Sequence, residues 1–271
     1  KKITIGTRGS DLALWQAHFV KSELEKLNCE VHIHIIKTQG DKIQNLSFDE
    51  MLEMAGAGSK VLALRAVEFA RNHNVPIHVR SSFTWEEGTW VIGADHERNT
   101  TMEEPIISGV VHDVGEAKMT LLGVPDRPGV SALLFESLAQ ANVNVDMIVQ
   151  NTSIDGTTDI SFTLPLGDIA TALPILKKVG DEVGAKGVSQ DENIVKLSLV
   201  GAGMKSSPGI AAKMFRVLAD NNVNIEMIST STIRISVVVE RSMLETAIRA
   251  LHTAFDLDSG QDYSAPLPER K

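Results

Sequence analysis

Two stretches of the 271-residue chain distribute apolar and polar positions in the same way. In Pro128–Ile148, residues Val130, Leu133, Leu134, Leu138 and Ala141 recur at the three- and four-residue spacing that lines one face of a helix. Eighty positions later, Pro208–Ile228 keeps 11 of the 21 residues, among them the leading Pro-Gly, Phe135/Phe215, Asn142/Asn222, Asn144/Asn224 and Met147/Met227. That period is too long for a solenoid repeat, so two copies describe a duplicated small domain.

Around the first helix the pattern changes to the short period of strands. Lys118–Val124 reads as a strand stopped by Pro125, and Pro128 opens the helix. The stretch from Val143 to Asn151 reads as a second strand, Asp155-Gly156 as a turn and Thr158–Leu164 as a third strand. Ile169–Val179 is a second helix and Gly184–Ser189 a fourth strand, giving β-α-β-β-α-β, a ferredoxin-like split unit. The second copy supplies Val195–Val200, Pro208–Asn221, Ile225–Ser231, Ile233–Glu240 and Leu244–Phe255, and then lacks its last strand. The tail after Phe255 carries two prolines and several turn formers and makes a poor core strand. Ile106–Val111, which the first unit does not need, fills the gap, so the expected fold is α/β (α+β): tandem, interleaved βαββαβ units. Ahead of them, Ile3–Ile5, Asp11–Leu27 and Val31–Ile36 read as strand, helix and strand, a partial α/β segment. A helix over Glu50–Asn72, acidic early and basic late at Arg65 and Arg71, reads as a solvated face suited to the helix dipole.

Composition narrows the function. A formal charge of -9, from 26 basic and 35 acidic residues, leaves no basic patch for nucleic acid or an anionic membrane. Cys29 is the single cysteine, which excludes an internal disulfide and a cysteine zinc site. Gly6, Arg8 and Ser10 interrupt the start before an apolar run forms, so a soluble, cytoplasmic protein is expected. His32 and His34 share a strand face, but no third ligand is suggested nearby, and neither a metal nor a cofactor is expected.

The repeated loop is the place for chemistry. Where a strand ends and a helix opens, unpaired N–H groups and the positive end of the dipole favour a carboxylate. Asp126 can meet an ammonium, and Asn142, Asn144 and Gln150 offer donors and acceptors, which together suit a free amino acid. The other reading, left open, is that Asp126 caps the helix and the asparagines close a turn. In the second copy the loop is GAGMKSSPG, without the acidic residue. Gly201-Ala202-Gly203 also lacks the third glycine and Gly-Lys-Ser/Thr ending of a phosphate loop.

These residues carry a resemblance. DEMLEMAGAGSKVLALRAVEFARNHNVPIHVRSSF, EAKMTLLGVPDRPG, NVNVDMIVQN, DGTTDISFTL, VKLSLVGAGMKSSPG and NVNIEMISTSTIRISVVV resemble the C-terminal part of bacterial aspartokinases over Asp49–Leu257. The resemblance implies ACT domains that bind lysine and threonine as feedback inhibitors, here or in a separate small regulatory subunit. By motif, the implied effector contacts are Asp126, Gly129, Val130, Ser131, Asn144, Asp146 and Gln150 in the first unit, with Asn224 and Ile225 in the second. Ser231-Thr232-Ile233-Arg234-Ile235-Ser236 departs from the family's Ser-Glu-Ile-Arg-Ile-Ser by one charge. The kinase's phosphate-handling Lys-Phe-Gly-Gly-Thr stretch and its Asp-rich ATP segment are missing, so no kinase turnover is expected.

Residues 1–49 instead resemble the N-terminus of hydroxymethylbilane synthase (porphobilinogen deaminase), through ITIGTRGSDLALWQAHFVKSELEKL and IIKTQGDKIQNLSFD. That resemblance implies a carboxylate-binding remnant at Arg8 and Ser10, with Thr38 and Asp41 in a neighbouring loop. Its catalytic Ser-Leu-Lys-Asp stretch, paired arginines and cofactor-bearing cysteine have no counterpart. The chain reads as a fusion with a seam near Phe48-Asp49-Glu50, and apolar side chains such as Trp15 and Phe19 need new cover. The expected organisation is 1–48 synthase-like, 49–98 a kinase remnant and linker, 113–191 the first ACT domain, 105–112 with 192–257 the second, and 258–271 a flexible tail. The expected function is an amino-acid-binding regulatory module with no catalytic residues. Its expected partners are lysine or threonine, further copies of itself and a kinase catalytic subunit. A dimerisation scaffold and an enzyme remnant are the alternatives.

Overall fold

The computed structural model describes residues 2–7, 11–26, 30–35, 45–82, 87–93, 107–151, 156–205 and 207–257. β1 (Lys2–Thr7), α1 (Asp11–Glu25) and β2 (Glu30–Ile35) form a strand-helix-strand segment in which the two strands pair in parallel. Phe19 on α1 is exposed.

β3 (Asn45–Ser47) leads into α2 (Phe48–Gly56), which is followed by α3 (Leu64–Asn72), β4 (Ile77–Val79) and β5 (Thr89–Ile92). The three strands lie in the order β3-β5-β4. The single helix expected over Glu50–Asn72 is thus two helices. Ser47 and Glu50 close a reciprocal capping box that starts α2. Within the break lies Gly58, whose φ of 111° no L side chain adopts comfortably and whose added Cβ would lie 2.5 Å from the His112 carbonyl.

β6 (Gly109–Asp113) precedes the first complete unit: β7 (Glu116–Pro125), α4 (Val130–Gln140), β8 (Ile148–Gln150), β9 (Thr157–Pro165), α5 (Ile169–Val183) and β10 (Gly187–Asp191). Its sheet order is β10-β7-β9-β8. The second unit follows as β11 (Ile194–Val200), α6 (Ile210–Asp220), β12 (Met227–Thr230), β13 (Arg234–Glu240) and α7 (Leu244–Ala254). Its sheet order is β12-β13-β11-β6. The edge that β10 fills in the first unit is filled in the second by β6, with Gly109 opposite Val200 and Asp113 opposite Lys196. The chain therefore interleaves as the missing strand implied.

Alternate residues of each central strand meet its two helices. Met119, Leu121, Ile160, Phe162 and Leu164 pack with Leu134, Leu138, Leu176 and Val179 in the first core. Leu197, Leu199, Val237 and Val239 pack with Met214, Leu218, Ala247 and Leu251 in the second. Both α4 and α6 end on an asparagine at φ 56°, Asn142 and Asn222, a left-handed residue that asparagine tolerates. Val143 N–H returns to the Leu138 carbonyl at 3.0 Å, and Val223 N–H to that of Leu218 at 2.9 Å. Gly184 at φ 80° caps α5, so the fourth strand starts at Gly187, later than expected.

Candidate functional site

The first copy's loop leaves β7 at Pro125. Asp126 N–H donates to the Gly156 carbonyl at 3.0 Å, which holds the turn while the Asp126 side chain stays exposed. Gly129 is the N-cap of α4 at φ 94° and makes no side-chain cap bond, so Asp126 is not the helix cap. A Cβ added at Gly129 would meet nothing within 4 Å, so the loop opens to space above the first turn. The first N–H groups of such a turn lack intrahelical acceptors, and the dipole adds positive potential there. Ser131 Oγ donates to Gln150 Oε1 at 2.7 Å and ties the first turn of α4 to β8. Val130 is buried in the core, and Asn144 is exposed at the bend after α4. Asn142 is the left-handed residue that closes that bend, which matches the turn-closing reading for this one side chain.

Asp146 meets charge from the other unit. Lys196 on β11 is 1% exposed, and its Nζ donates to Glu116 at the start of β7 and to Asp146 just before β8. Burial pushes the Lys196 ammonium down, but the Glu116 and Asp146 carboxylates outweigh it and hold its pKa above the ordinary lysine value. Glu116 Oε2 is buried with no hydrogen-bond partner among the described residues. Lys118 on β7 pairs in the opposite sense with Glu226, just before β12. Met147, Ile194, Met227 and Val238 make the apolar floor of this seam. Asn224 and Ile225 sit beside Glu226, the first exposed and the second packed against the second core. Motif reasoning missed Glu116, Lys118, Lys196 and Glu226. The available signal was the repeat itself: Glu116 and Lys196 occupy one position of the two copies with opposite charge, as eighty-residue partners.

A second junction joins α2 to the second unit. Glu50, expected on a solvated face, is buried; its carboxylate accepts from Ala202 N–H at 2.8 Å, Ser108 Oγ, Ser47 N–H at 3.0 Å and Ser47 Oγ at 2.8 Å. Burial pushes its pKa up, but the hydrogen bonds from Ser108, Ala202 and Ser47 outweigh that and leave it below the usual carboxylate range. One turn on, Glu53 pairs with Arg234 Nη1 at 3.1 Å. The apolar side chains Leu46, Phe48, Met51, Met54, Val67 and Val91 continue into Val111 and Val200 of the second unit. Arg8, Ser10, Thr38, Asp41 and Cys29 lie outside the described residues, as does the 258–271 tail.

Comparison with known proteins places these observations. The ACT domain family matches residues 120–179 and 197–255, the two repeated units. A solved structure of aspartokinase alpha and beta subunits contains a chain 45% identical, of which this chain covers 99% while using 55% of itself, at a TM-score of 0.53. The chain belongs to the aspartokinase family. The regulatory subunit of aspartate kinase from Thermus thermophilus, solved ligand-free, is 39% identical with the same TM-score of 0.53, and 99% of it is covered by 55% of this chain. The aspartokinase of Pseudomonas aeruginosa is 44% identical over 265 residues. That alignment takes in 94% of this chain and 63% of the relative, so the chain spans under two thirds of that relative's length. The porphobilinogen deaminase dipyromethane cofactor binding domain family matches residues 3–74, so the two similarities overlap. The paired ACT units make this an aspartokinase regulatory module. Among the described residues no helix is long and apolar enough to cross a membrane.

Proposed function

We propose that the module senses a free amino acid, lysine or threonine, at the β7–α4 loop and passes the event to an aspartokinase catalytic part. The observation that carries this reading is the uncapped first turn of α4, open above Gly129 and fastened to β8 by Ser131 and Gln150. Its N–H groups suit the effector carboxylate, and the exposed Asp126 carboxylate suits the ammonium. In this reading turnover belongs to a catalytic part that carries the phosphate-handling and ATP-holding motifs, and this chain spans 63% of the length of an aspartokinase relative. A relative solved as alpha and beta subunits supports such a division of labour. The edge strands β8 and β12 carry exposed isoleucines at equivalent positions, Ile148 and Ile228, which supports association of copies through the sheets.

Thermal unfolding with single amino acids tests the reading. An effector at about 100 times its dissociation constant adds about 2.7 kcal/mol of stability. The expected result is a rise in melting temperature with lysine or threonine that Asp126→Ala abolishes. A melting curve unmoved by either amino acid overturns the sensing role, and a shift that survives Asp126→Ala moves the site away from this loop.

A further inference from the structure

Strand alternation puts the seam between the units on the faces that their own helices leave free. Met119 and Leu121 of β7 and Leu197 and Leu199 of β11 belong to the two cores, so Lys118 and Thr120, and Lys196 and Ser198, line the opposite faces. There the apolar contact is small: Met147, Ile194, Met227 and Val238, with Val149 packed beside them. Thr120 Oγ1 and Ser161 Oγ share a hydrogen bond at 2.9 Å within the first sheet, and Ser198 Oγ and Ser236 Oγ one at 2.8 Å within the second, so these hydroxyls are satisfied without reaching across. Charge does cross the seam, from Lys196 to Glu116 and Asp146 and from Lys118 to Glu226. A polar junction between two units that each own a core is where relative motion is expected.

The chain passes between the units twice, each time in two residues: Val114-Gly115 joins β6 to β7, and Glu192-Asn193 joins β10 to β11. Arg241, directly after β13, grips both links. Its Nη2 donates to the Val114 carbonyl at 2.7 Å and its backbone N–H to the Asn193 carbonyl at 2.9 Å. Two short links held side by side can absorb a rotation while the strands beyond them stay intact.

We propose that this seam is a charge-locked hinge: the units pivot about the two links at Arg241, and the contacts of Lys118 with Glu226 and of Lys196 with Glu116 and Asp146 hold them closed. Parting leaves both cores whole, so the module has two arrangements that a ligand or partner on either unit can bias. Three carboxylates face two ammoniums across the seam. Losing an ammonium therefore sets carboxylates against one another in a partly buried place, and the cost falls on the closed arrangement. The hinge stands independently of the effector assigned above.

Pulsed electron resonance between spin labels tests it. Ala132→Cys on α4 and Ala212→Cys on α6, both exposed, carry the labels in a full chain with Cys29→Ser. The parent seam is expected to give one narrow distance. Lys118→Glu sets a carboxylate against Glu226 and is expected to lengthen and broaden it, and Lys118→Glu with Glu226→Lys, the same pair reversed, is expected to restore the parent distance. Lys196→Met is expected to part the units as well; should it fail to fold, the Lys118 and Glu226 variants decide alone. Hydrogen exchange at β9 and β13 is expected to stay as slow as in the parent throughout, because neither core opens. A distance that Lys118→Glu leaves unchanged, or that the reversed pair fails to restore, overturns the lock. Lengthening accompanied by fast exchange at β9 or β13 overturns the hinge, since the charges would then be holding a core together.

Discussion

Replacing Glu50 by Ala removes a buried carboxylate on which α2 and the second unit converge. The substitution leaves Ala202 N–H and Ser108 Oγ without their acceptor in a buried junction, and Ser47 N–H without its half of the capping box. An abandoned buried donor costs about 1–3 kcal/mol, so the first two together come to about 4 kcal/mol; the cap bond adds less, because Ser47 still accepts from residue 50. The neighbouring Glu53–Arg234 pair cannot hold the junction alone, since a partly solvated ion pair contributes about 1 kcal/mol or less. Against a domain stability of about 5–15 kcal/mol the loss is large. Hydrogen exchange with peptide resolution is the assay: amides of residues 48–72 are expected to exchange far faster in Glu50→Ala, while β9 and α5 of the first unit keep their protection. Urea unfolding of the same variant is expected to show an early transition for the α2–α3 layer. A variant within about 0.5 kcal/mol of the parent, the size of an ordinary surface change, with unaltered exchange over 48–72, refutes the claim that this carboxylate fastens the two parts.

Glycine substitutions are expected to rank by space as well as by φ: Gly129→Ala costs about 1–2 kcal/mol for the left-handed backbone alone, and Gly58→Ala more, because its Cβ meets the His112 carbonyl; thermal melts that reverse the order contradict the packing. Because the Glu50 pKa is depressed on folding, its contribution is whole above the unfolded value of about 4.3 and is lost as pH falls through the lower folded value. Glu50→Gln is therefore expected to flatten the acid limb of stability against pH, and an acid limb identical to the parent's excludes this group as its source. Ile148→Asp is expected to lower the sedimentation coefficient by weakening association at the β8 edge, and an unchanged value places any assembly elsewhere.

The repeat made most of the two units legible. Helix-period apolar residues and Pro-Gly openings located α4 and α6, and the proline-rich tail forced the second unit to look upstream for β6. Two kinds of feature were not legible. The break between α2 and α3 opens in the stretch Ala55-Gly56-Ala57-Gly58-Ser59, and its geometry depends on Gly58 fitting against a carbonyl from β6. Glu50 and Lys196 look like solvated charges when each element is read alone, and their burial exists only once another segment packs over them. For Lys196 the clue lay in comparing the copies, where a lysine faces a glutamate at the equivalent position. For Glu50 the partners Ser108 and Ala202 lie 58 and 152 residues away.

The central claim is that the opening of α4 receives a free amino acid. A crystal structure of the full chain grown with lysine and threonine tests it most directly. The account predicts an amino acid with its carboxylate on the first N–H groups of α4 and its ammonium at Asp126. Clear density for the effector at any other place in the molecule, with that loop empty, contradicts it.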